Sequence, residues 1–202
     1  GEANRVLEGA GVLDNSQRNS VLHQTKTVLS KCVPPTDEAG TITGLVIGQV
    51  QSGKTLSFTT LAALAHDNAY RGIVLLAGTK TNLRDQNTDR LIDDLNADES
   101  PAWEVCRLVN GNQAAIDEEE IKRRLTQWDQ DFVPATHKRT LVFTLLKNRA
   151  NLDRLSGLLG RLGAVIEKSP FIIIDDESDQ ASLNTQPQEE EESATYAAIQ
   201  RL

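Results

Sequence analysis

Short β-rich runs alternate along this chain with longer amphipathic ones, and that alternation constrains the fold more than any other feature. The β-rich runs are Thr43–Ile47, Gly72–Ala77, Glu104–Val109, Thr140–Leu145 and Phe171–Ile174. The amphipathic runs are Lys54–Tyr70, Asn82–Asn96, Ile116–Gln130 and Arg149–Lys168. Strand–helix alternation at this spacing implies βαβ units. The predicted fold is α/β: a mostly parallel sheet with helices on both faces. Gly157, Gly160 and Gly163 weaken the last helix and predict a break in it.

Residues 1–15 are polar and Gly-rich and are expected to be loose. From Ser16 to Lys31, the residues Val21, Leu22, Thr25, Val28 and Leu29 recur at helical spacing, with Ser16 as the expected cap. The segment from Val33 to Gly40, with Pro34 and Pro35, reads as a linker. The expected organisation is therefore a short N-terminal helical extension over 1–40 and an α/β domain over 41–202. Past the last strand, the acidic stretch Gln186 to Glu192 reads as a solvated loop. Ser193-Ala194-Thr195 then reads as a helix start.

One connection carries a motif. Gly48-Gln49-Val50-Gln51-Ser52-Gly53-Lys54-Thr55 fits G-x-x-x-x-G-K-[ST] at every position. Gly48 and Gly53 allow the backbone to fold into a nest of inward N–H groups. Those amides and the following helix N-terminus suit a triphosphate. Lys54 is placed to meet the β- and γ-phosphates, and the Thr55 hydroxyl to ligate magnesium. The motif follows the apolar Leu45-Val46-Ile47 and precedes a helix with Leu56, Leu61 and Leu64. That strand–loop–helix setting is the one a phosphate loop requires. The expected cofactors are ATP and Mg2+.

A second motif follows the last β-rich run. Phe171-Ile172-Ile173-Ile174 is wholly apolar, as a central parallel strand should be, and runs into Asp175-Asp176-Glu177-Ser178-Asp179. Carboxylates at that end of a strand lie in the crevice where α/β proteins bind ligands. One Asp can hold magnesium, and the next carboxylate can orient or deprotonate a water. Asp175-Asp176 and Asp176-Glu177 both remain open as the working pair. The D-E-x-D spacing of superfamily-two helicases selects Asp176 as metal ligand and Glu177 as catalytic partner of Lys54.

Three stretches resemble the Z-one domain family of helicase-like ATPases. They are Val50 to Thr55, then Leu75 to Thr79 with Asn82 to Gln86, and Ile173 to Thr185. The resemblance implies a three-layer, RecA-like P-loop NTPase domain that acts on nucleic acid, DNA in the first instance. It implies an endonuclease-associated, restriction-modification or phage-defence setting in the cytoplasm. It also implies a second RecA-like domain and a nuclease domain or subunit as partners. Asn82, Arg84 and Gln86, at a helix start after a strand end, are the candidate nucleic-acid contacts. Thr144 and Lys147, around the end of another strand, are weaker ones. The T-A-T-P-type motif and second RecA-like domain of the family are not found in these residues. The chain starts with Gly and lacks Met, so it is expected to be a piece of a longer protein, and without the arginine fingers of that second domain it is expected to bind ATP better than it hydrolyses it.

Composition narrows the alternatives. No apolar run approaches about 18 residues, so no transmembrane helix and no membrane partner are expected. No signal-peptide pattern opens the chain. The net charge of −8 lacks a basic nucleic-acid footprint, so any such contact must be local or involve further parts. Cys32 and Cys106 read as buried thiols of a reducing compartment, and His23, His66 and His137 show no metal-ligand spacing. A GTPase would need an N-K-x-D-type motif, and a small-molecule kinase an Arg-rich lid. Neither is evident. A non-catalytic nucleotide-binding scaffold in a larger complex is the remaining rival.

Overall fold

The structure is a computed structural model that describes residues 1–11, 13–36, 40–47, 54–77, 81–107, 117–176, 178 and 194–200. Of residues 54, 55, 81–87, 107, 194, 196 and 200 it describes the backbone only.

Among the described residues, four strands form one parallel sheet: β1 (Gly72–Ala77), β2 (Trp103–Arg107), β3 (Thr140–Leu146) and β4 (Phe171–Asp175), in the order β2-β3-β1-β4. Each was predicted within two residues at either end. All six residues of β1 and all seven of β3 are buried. Such double-sided burial is why these runs are continuously apolar rather than alternating.

Successive side chains then divide between two cores. Ile73, Leu75, Val142 and Ile172 point to one face, where they meet α1 (Glu2–Gly9), α3 (Lys54–Asp67) and α4 (Thr81–Asp94). Leu22 and Leu29 of α2 (Asn15–Leu29) pack on the same core. Val74, Leu76, Leu141, Phe143 and Leu145 point to the other face. There they meet α5 (Glu118–Gln127), α6 (Arg149–Leu162) and α8 (Ala194–Gln200). The molecule is thus α/β, with helices on both faces of an all-parallel sheet, compatible with three layers.

The helical expectations need three adjustments. The described residues of the 1–15 segment are not loose. Their first half forms α1, whose opening amides on Glu2 and Ala3 donate to the Asp67 carboxylate at 2.8 and 3.1 Å. Asp14, not Ser16, caps α2, through a reciprocal capping box with Gln17. The expected break in the last helix falls at Gly163, whose φ of +56° a side-chain-bearing residue rarely adopts. Beyond it lies the short α7 (Ala164–Glu167).

The larger correction concerns 43–47. This run forms no strand, and Ile42, Leu45, Val46 and Ile47 are 61, 75, 67 and 88% exposed. β propensity needs a paired edge and a covered face, and among the described residues none supplies either to this segment. Connection hand says where such an edge would be. β1→α4→β2 moves toward the β2 side over one face. β2→α5→β3 and β3→α6→β4 move the opposite way over the opposite face, so all three crossovers share one hand. A strand entering β1 through α3, which lies on the α4 face, must therefore start on the β4 side. β4 already flanks β1 there, so the edge the 43–47 run would need lies beyond β4.

Candidate functional site

The strands end together at Ala77, Arg107, Leu146 and Asp175. The described parts of the sequence motifs, namely the start of α3, the start of α4 and Asp175-Asp176, lie toward this carboxyl end. α4 follows β1 and α6 follows β3, so their N-termini open onto it. α3 runs back from it. His66, near the end of α3, reaches Thr140 at the start of β3. Twelve residues earlier, at about 1.5 Å each, Lys54 begins the helix roughly 18 Å away, toward the carboxyl end.

The acidic turn is held from the ends of β1 and β3. The Asp176 amide donates to Leu76 O at 3.1 Å, which continues the β1–β4 ladder one residue past β4. The Lys147 amide donates to Ala77 O at 3.2 Å, the matching step past β3. From there the Lys147 side chain crosses the end of β1. Its ammonium lies 2.9 Å from Asp175 Oδ1 and donates to Asp176 O at 2.8 Å. Lys147 is only 2% exposed, and the Asp175 side chain 22%. Asn148 then caps α6, its side-chain oxygen accepting from the Asn151 amide at 2.9 Å.

The predicted residues fare differently. Asp176 stands half-buried in the turn after β4, at the predicted end of the predicted strand. Lys54 and Thr55 are the first two residues of α3, where the phosphate-loop motif puts the helix start. Asn82, Arg84 and Gln86 lie in the N-terminal half of α4. Gly48, Gln49, Val50, Gln51, Ser52, Gly53 and Glu177 lie outside the described residues, as do the side chains of Lys54, Thr55, Asn82, Arg84 and Gln86.

Thr144 and Lys147 are corrected. Both are 2% exposed, and the lysine faces Asp175 rather than a groove. Sequence reading missed this pairing. The signal was a lone lysine closing the apolar run Thr140–Leu146, where an exposed role would have required the chain to turn outward.

Elsewhere, Cys32 and Cys106 are free thiols, and burial pushes Cys106 up to about 12, with Glu104 adding to it. Among the described residues, no helix is long and apolar enough to cross a membrane. Comparison of the chain with models of protein families, with curated proteins and with solved structures finds no match.

Proposed function

We propose that this chain is the ATP-binding part of a magnesium-dependent, helicase-like P-loop ATPase that acts on nucleic acid. The observation that carries the proposal is that α3, which begins at Lys54, starts at the carboxyl end of the parallel sheet, the end where such sheets bind ligands. Asp176 closes β4 at that same end.

In this reading the amides of Gly48 to Gly53 and the start of α3 cradle phosphates, and Lys54 neutralises the outer ones. The Thr55 hydroxyl and the Asp176 carboxylate are hard oxygen donors, the kind magnesium takes. Bound magnesium supplies charge neutralisation at the transferring phosphate. Glu177 orients and deprotonates the attacking water. The Lys147 contact supports the Asp176–Glu177 register, because Asp175 already has a buried cation beside it. Asn82, Arg84 and Gln86, near the N-terminus of α4, contact nucleic-acid phosphate. The resemblance to the Z-one family extends the proposal to a second RecA-like domain, a nuclease partner and a restriction or phage-defence role in the cytoplasm.

Titration calorimetry with ATP and GTP, with and without magnesium, tests the core of this. ATP is expected to bind with magnesium dependence, and Lys54→Ala to abolish binding without altering the melting temperature. Equal ATP affinity in variant and parent would end the phosphate-loop reading. ATP binding without turnover in the parent would favour the non-catalytic scaffold, and turnover unchanged in Glu177→Gln would end the catalytic role of that residue.

A further inference from the structure

We propose that Lys147 is a positioning residue for the acidic turn, a clamp that fixes Asp176 for metal binding while never touching the ligand itself. This rests on the reading of Asp176 as a magnesium ligand. Lysine is almost never fully buried unless paired. Here it closes an otherwise apolar strand, where an apolar side chain of similar volume would be at least as stabilising as a buried ion pair. Stability alone therefore does not explain it, and its contacts suggest another use.

β3 and β4 are not neighbours, because β1 lies between them. Two strand spacings amount to roughly 9.6 Å, a gap that a long side chain can largely bridge from the end of β3. Lys147 crosses it and meets two successive residues of the turn: the Asp175 carboxylate at 2.9 Å and the Asp176 carbonyl at 2.8 Å. The first contact offsets the charge of Asp175, which would otherwise disfavour a second carboxylate on the next residue. The second fixes the Asp176 peptide from its carbonyl side, while Leu76 O fixes it from its amide side at 3.1 Å. An aspartate held at both its amide and its carbonyl presents its side chain in a narrow range of directions. Supports of this kind, one step removed from a metal, are typically worth about 10–100-fold in its affinity.

The test compares the parent with Lys147→Met and with the double variant Lys147→Met/Asp175→Asn, which removes the buried carboxylate as well and so guards against simple unfolding. Amide exchange by NMR reads the clamp without any ligand. The Asp176 amide is expected to exchange about tenfold faster in both variants, and the Val74 amide at the middle of β1 at the parent rate. Calorimetry reads its purpose. Affinity for ATP with magnesium is expected to fall about tenfold or more, and affinity for ATP in EDTA to stay unchanged. Unaltered Asp176 exchange overturns the clamp. Faster exchange with undiminished magnesium-dependent affinity makes Lys147 merely structural and overturns the positioning role. A parent that binds no ATP under either condition instead overturns the nucleotide reading, and with it the purpose assigned to Lys147.

Discussion

The two ends of the sheet use their polar groups in opposite ways. At the amino end they lock helices to strands. Trp103 opens β2 fully buried, donates through Nε1 to Glu2 of α1 at 3.2 Å, and packs 5.0 Å from the His66 ring of α3. Thr140 opens β3 and donates to Tyr70 O at 2.9 Å, so its hydroxyl oxygen accepts from His66 Nδ1 at 2.9 Å. Trp128 donates to Arg139 O at 2.9 Å, and Arg71 pairs with Asp129 and donates to Leu125 O, tying α5 and the turn after it to the sheet. At the carboxyl end, Lys147 grips the acidic turn. The difference teaches that a buried polar or charged group can tie a helix to the sheet in one place and fix the turn after a strand in another. The partners tell them apart.

Three changes at the amino end would sharpen or break this contrast. The largest effect is expected from Trp103→Ala, which removes a fully buried indole and leaves Glu2 without that donor. Chemical denaturation should show a loss of about 3–5 kcal/mol. Nucleotide affinity, measured where the variant is still folded, should hold. Loss of both together would mean that the two ends are not separable.

A smaller loss is expected from Gly72→Ala. A Cβ there would lie 2.1 Å from the Phe171 ring, so the ring and the β1–β4 pairing must shift. Overpacking of this kind costs about 1–3 kcal/mol. Unchanged stability would show that the start of β4 has slack that the close ring contact denies.

The smallest effect is a pH dependence. Desolvation lowers the pKa of His66 below its usual value, while Asp67 and Glu2 pull less strongly the other way. The unfolded chain therefore binds this proton more readily than the folded one. The stability tied to neutral His66 is fully present above about pH 6.5 and is lost as pH falls toward the folded value. Between pH 7.5 and 5.5, above the ordinary carboxylate range, the parent's melting temperature should fall more than that of His66→Gln. Equal slopes would show that the imidazole titrates as if exposed.

What the sequence determined was whatever depends on local pattern. The four paired strands, the helices between them and the break near the glycines of α6 all follow from periodicity, propensity and the conformational freedom of Gly163. The Gly48 to Thr55 motif and the acidic turn were legible because each residue type in them has its own chemical reason.

Tertiary structure decided what depends on a distant partner. The 43–47 run has the composition of a strand, but a strand exists only where another edge completes its ladder, and among the described residues none does. Polar residues at the N-terminus looked loose until Asp67, far along the chain, capped their helix. Lys147 read as a weaker candidate nucleic-acid contact because local sequence cannot reveal that the end of β4 lies across β1 from it. A side chain's environment is set by which strands become neighbours. That order, β2-β3-β1-β4, is a property of how the crossovers pack and not of any single run of residues.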